Sequence, residues 1–215
     1  MPPARTRFAL AAASSATGVA AAVTAETRVG RLAVGELAAS PDAVDRGRAW
    51  LLVTSGLLAD HPILPSLLGF WIVGVAVLLV CSLRLAVIVA VSGHVVSTAA
   101  VYGVVYAARA LDPSAFASVW TLQDYGLSAM IAAWLGVLAR LAWDARPTSR
   151  AHVGVIAGSL GCAAIGIACR PDLTPLDSEH VVAFAIGATL ADPRLRTALS
   201  VHSRRLVAAA AAVLS

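Results

Sequence analysis

The chain has 215 residues, of which 59% are apolar and only 13% charged, with a formal charge of +4 and a mean hydropathy of +0.82. A charged share about half that of a soluble domain excludes a soluble globular fold and points to one membrane-embedded bundle with no second soluble domain. All sixteen basic residues are Arg and lie scattered between apolar stretches, which excludes a nucleic-acid partner despite the basic balance.

Residues 1–25 carry Arg5 and Arg7 ahead of an Ala-rich apolar stretch at 8–25. This reads as a first membrane helix, with a signal-like segment as the rival reading. Residues 26–62 are mixed and charged, a partly helical non-cytoplasmic connection too polar to span. Apolar runs long enough to cross follow at 63–82, 85–108, 126–143 and 153–169, and a shorter one at 180–191. Residues 63–192 thus hold five further spans. The tail at 193–215 reads as a cytoplasmic helix on the membrane surface. The fold class expected is an all-α integral membrane protein with six transmembrane helices.

Six spans with the N-terminus inside put Arg5, Arg7, Arg84, Arg140, Arg146, Arg150, Arg194, Arg196, Arg204 and Arg205 on one side, against Asp144 and Asp192. The other side holds the remaining six Arg (16 less 10) and ten acids (12 less 2). That asymmetry places both termini in the cytoplasm. The Arg-only, Ala-rich composition suggests a bacterial protein, hence the inner membrane. Trp50, Trp120 and Trp143 fall near the expected interfaces and read as anchors. Cys81, Cys162 and Cys169 follow no metal-ligand spacing and read as buried thiols. No metal or organic cofactor is implied.

The chemistry gathers at two helix starts. Ser128, in Asp124-Tyr125-Gly126-Leu127-Ser128-Ala129, opens one span; His180, after Asp177-Ser178-Glu179, opens another. The charge pattern puts both on the non-cytoplasmic side at one depth, where a serine and a histidine on separate helices can form a nucleophile–base dyad. Small residues recur behind each: Ala132 and Gly136 after Ser128; Ala183, Gly187 and Ala191 after His180. Such spacing lets helices approach closely in lipid. The bland alternative is a Ser bonded within its own helix and a His facing the headgroups. Asp124 suits a cap on the helix that follows. His94 lies mid-span with Ser92, Ser97 and Thr98 nearby. It reads either as a neutral His bridging helices or as part of a proton path.

Three pieces across about 48–192 resemble the rhomboid family of intramembrane serine proteases, in its divergent bacterial rhomboid-like branch. They are Arg48-Ala49-Trp50-Leu51-Leu52-Val53-Thr54-Ser55 ahead of the second span, Gly126-Leu127-Ser128-Ala129, and Asp177-Ser178-Glu179-His180 with Ala183 and Gly187 beyond it. The resemblance implies a six-helix bundle whose cavity opens to the outside, with Ser128 as nucleophile, His180 as base, and Gly126 and His61 near the oxyanion. It departs from the family where Ala129 replaces a Gly. It departs again where Pro65 stands in place of the Asn of a His-x-x-x-Asn pair beginning at His61, for the chain holds no Asn. Partners would be membrane lipid and transmembrane protein substrates or helices. A catalytically silent, helix-binding rhomboid-like protein is the alternative, and a small transporter or channel component ranks last because charges within the spans are nearly absent.

Overall fold

The computed structural model describes residues 4–24, 34–59, 62–144 and 175–192. Among the described residues the chain is helical with no strand. It holds one isolated antiparallel bridge, between Ala39 and Asp124. The long helices are α1 (Ala4–Thr24), α4 (Ile63–Val80), α5 (Leu83–Leu111), α7 (Ser128–Asp144) and α8 (Glu179–Leu190). Short helices α2 (Pro41–Asp45), α3 (Leu51–Thr54) and α6 (Ala117–Trp120) lie in the connections, with 3₁₀ turns at Ser55–Leu57 and Pro175–Ser178. The fifth expected span, 153–169, the tail at 193–215, and His61 lie outside the described residues.

Among the described residues two helices, α4 and α5, are long and apolar enough to cross a membrane. At a 1.5 Å rise per residue they measure roughly 27 and 44 Å, against a hydrocarbon core of about 30 Å. Both begin where local chemistry dictates. Pro62 supplies an extended residue ahead of α4, and the Ser82 hydroxyl accepts the N–H of Leu85 at the start of α5. The end of α5 is set by Pro113, which forces Asp112 out of helical geometry (φ −140°, ψ 108°). The freed Asp112 carboxylate accepts both the N–H and the hydroxyl of Ser114, at 2.9 and 2.7 Å, which holds its pKa below the usual carboxylate value.

One face of α4 is unpartnered: Leu64, Leu68 and Ile72, one helical turn apart, are 75%, 53% and 50% exposed. A row of bare aliphatics suits lipid and not water. The opposite face packs inward through Phe70, Val73 and Val77. Trp134 of α7 fills the space between α4 and α5. Its ring lies 4.9 Å from that of Phe70, and its Nε1 donates to the Ala86 carbonyl at 2.9 Å.

The connection 34–59 is tied down by polar bonds. Ser40 caps α2 by accepting from Ala43 N–H at 3.1 Å, and the Pro41 carbonyl accepts the Tyr106 hydroxyl at 2.6 Å. Trp120, expected as an interface anchor, donates to Asp42 at 3.2 Å and packs edge-on against Tyr106. These bonds lay the connection across the C-terminal half of α5 and the approach to α7.

Candidate active site

Helices α7 and α8 meet through small residues, but not along the whole face read from sequence. On α8 the expected residues hold, with Ala183, Gly187 and Ala191 all buried. On α7 Gly136 of the expected face meets α8 and Ala132 is half-buried, while Ala133 meets Gly187 through its main chain and turns its methyl toward Gly93 of α5. A Cβ on Gly136 would strike the Phe184 carbonyl and lie 2.9 Å from Ala188 N; one on Gly187 would strike the Ala133 carbonyl. Backbone thus lies on backbone, and only glycine fits at either position.

The pairing also fixes direction. Arg140 binds Asp192 at 3.0 Å, and Gly136 abuts Ala188, each pair separated by 52 positions. Ser128 and His180 are separated by the same 52 positions. Other contacts run from 48 positions apart (Gly136–Phe184) to 54 (Ala133–Gly187), so the helices lie parallel and Ser128 and His180 open them at the same end of the bundle. Both are half-buried.

The His180 ring is oriented by its own chain. Its Nδ1 lies 2.9 Å from the Asp177 carbonyl oxygen, which can only accept. The neutral ring therefore carries its proton on Nδ1 and leaves a lone pair on Nε2, the tautomer a general base requires. That Nε2 is buried and makes no hydrogen bond. The Ser128–His180 hydrogen bond expected of a formed dyad is therefore not made, although the two residues open adjacent, packed helices.

Two other expectations are corrected. The Gly126 N–H donates to the Ser55 carbonyl at 3.2 Å, so it is committed and cannot serve an oxyanion. Gly126 matters instead for its backbone, since φ of +142° suits glycine and turns the chain into α7. Asp124 does not occupy the cap position: α7 begins at Ser128, which leaves Leu127 there. Asp124 pairs its main chain with Ala39 at 2.8 and 3.0 Å, and its carboxylate accepts the Tyr102 hydroxyl at 3.1 Å.

Around these helix starts lies a buried polar layer that the sequence only hinted at. His94 is 2% exposed and its Nε2 lies 3.0 Å from the fully buried Ser55 hydroxyl. His94 thus bridges α5 to the turn after α3, as the bridging reading expected. One turn further along α5, the Thr98 hydroxyl shares its proton between the His94 carbonyl at 2.8 Å and Glu179 Oε2 at 3.0 Å. Glu179, next to His180, is 5% exposed. The sequence offers Ser55, Thr98 and Glu179 only as neighbours of other residues and does not mark Tyr102. The available signal was polar side chains at 94, 98 and 102, four apart on an otherwise apolar helix.

Comparison with protein-family models, with curated proteins and with solved structures returned no match to this chain.

Proposed function

We propose that this chain is an integral membrane protein of six transmembrane helices, rhomboid-like in plan, that acts as an intramembrane serine protease. It sits in a bacterial inner membrane with both termini cytoplasmic and cuts transmembrane substrates near the outer face. The observation that supports the reading is the close packing of α7 and α8, which open at the same end with Ser128 on one and, on the other, a His180 whose Nε2 lone pair is unengaged.

In that mechanism His180 Nε2 takes the proton of the Ser128 hydroxyl as Oγ attacks the scissile carbonyl. The Asp177 carbonyl keeps the imidazole in register and stabilises the imidazolium that forms. Proton return to the leaving amine releases the first product, and water resolves the acyl-enzyme. Apo hydrogen bonds of this kind tighten when substrate is engaged, so the open Nε2 suits a resting site. Ser128 opens α7, whose N-terminal dipole favours a developing oxyanion there.

The alternative, a silent protein that holds membrane helices, is favoured by two observations: the Ser128–His180 bond is unmade, and the Gly126 N–H is spent on Ser55. Incubation of the protein in nanodiscs with a panel of transmembrane reporter segments separates the two. Cleavage abolished by Ser128→Ala supports the protease; reporter binding without cleavage, unchanged in Ser128→Ala, supports the silent protein and defeats the protease reading.

A further inference from the structure

Three bonds from one face of α5 reach both halves of the candidate site. His94 holds the Ser55 hydroxyl at 3.0 Å, and the Ser55 carbonyl in turn holds Gly126 N–H at 3.2 Å, two residues before Ser128. Thr98 holds Glu179 at 3.0 Å, one residue before His180. Tyr102 holds Asp124 at 3.1 Å, at the head of the same turn. The three α5 residues are spaced by four, so a single rigid helix presents them in line.

Packing around the first of these leaves no slack. Gly56 follows Ser55, and a Cβ there would lie 2.5 Å from the Met130 side chain and 2.6 Å from the His94 ring. The His94 ring, the Ser55–Gly56 turn and the first turn of α7 are therefore one packed unit. The Ser55 hydroxyl and His94 Nε2 share one hydrogen bond, and the other ring nitrogen, Nδ1, is buried without a partner. A buried unsatisfied polar atom costs about 1–3 kcal/mol in general, a cost tolerated where the bond on the other nitrogen has a use.

We infer that the buried Ser55–His94 pair is a positioning device for the nucleophile turn, holding Gly126 and hence Ser128 at the end of the bundle where His180 lies. The inference rests on the protease reading. His94 and Ser55 touch no reacting atom; they act through the Ser55 carbonyl and the packing of Gly56 on Met130. Thr98 performs the corresponding task on the His180 side.

The test uses the full chain in nanodiscs and a fluorophosphonate probe, with kinact and KI measured separately and amide exchange followed by peptide. Displacement of a nucleophile by about 1 Å costs on the order of 10²-fold in rate, so Ser55→Ala and His94→Ala are each expected to lower kinact by about that factor while KI holds. His94→Gln, whose terminal amide reaches the neighbourhood of Nε2, recovers part of the rate. Because both variants break one bond, the double variant is no slower than the slower single one. Exchange rises in peptides covering 124–128 and stays unchanged in those covering 70–80. Should His94→Ala fail to fold, Ser55→Ala, which removes one oxygen, carries the test.

Unchanged kinact with intact protection at 124–128 overturns the inference, as does loosening spread equally over 70–80. Wild type that takes no label at Ser128 defeats the protease reading instead. The exchange readout then decides the clamp by itself, selective loosening at 124–128 supporting it and unchanged protection overturning it.

Discussion

Gly187 of α8 lies so close to Ala133 of α7 that a methyl group on it would overlap the Ala133 carbonyl. The contact is backbone to backbone, so no side-chain rotation relieves it. Gly187→Ala must push α8 outward, and overpacking of this kind costs about 1–3 kcal/mol. The same change at Gly103 of α5 meets nothing within 4 Å and is expected to be neutral or to stabilise by up to about 1 kcal/mol, since alanine suits a helix interior better. Thermal unfolding of the two variants in one detergent checks the contrast; equal melting temperatures would remove the close approach of α7 and α8 from the account.

Tyr102 anchors the strand-like approach to α7 by donating to the Asp124 carboxylate. Tyr102→Phe keeps the ring, itself 1% exposed, and deletes only the hydroxyl. A hydrogen bond to a charged group is worth about 1.5–3 kcal/mol, and that loss is the expected outcome. Asp124→Asn retains an acceptor and is expected to cost less. A chemical unfolding series on both variants tests the order.

Thr98→Val is nearly isosteric at a fully buried position, so cavity effects are small. It removes the hydroxyl from the Glu179 carboxylate, a loss of about 1–3 kcal/mol. Thr98→Ser restores the hydroxyl and is expected to recover most of the stability, with the missing methyl as the residual cost. If Val and Ser variants unfold alike, the Thr98–Glu179 bond contributes nothing.

Much of the helical plan is legible in the sequence. The apolar runs at 63–82 and 85–108 correspond to α4 and α5, and the starts expected near 126 and 180 fall at Ser128 and Glu179. These boundaries are set by proline, capping serine and hydropathy, which act locally. What periodicity does not carry is rotation. On α7 Gly136 meets α8 while the Ala133 methyl lies toward Gly93 of α5, so Ala abundance leaves several faces equally small and only the partner helix chooses among them. The Ser55–His94 and Tyr102–Asp124 bonds were hidden for another reason: each joins residues 22 or more positions apart, and no local pattern announces which polar groups a fold will bring together. Gly126 was misread because its tetrapeptide suggests an oxyanion donor, whereas its N–H is consumed by a carbonyl from the distant turn at Ser55.

The central claim is that Ser128 is an activated nucleophile served by His180. Fluorophosphonate labelling of the purified chain in nanodiscs, read by mass spectrometry of the modified peptide, addresses it most directly. The account predicts label on Ser128 in the wild type, none at that residue in Ser128→Ala, and none in His180→Ala although that variant still unfolds cooperatively. A well-folded wild type left unlabelled beside an active serine-protease control, or label that persists undiminished in His180→Ala, would contradict it.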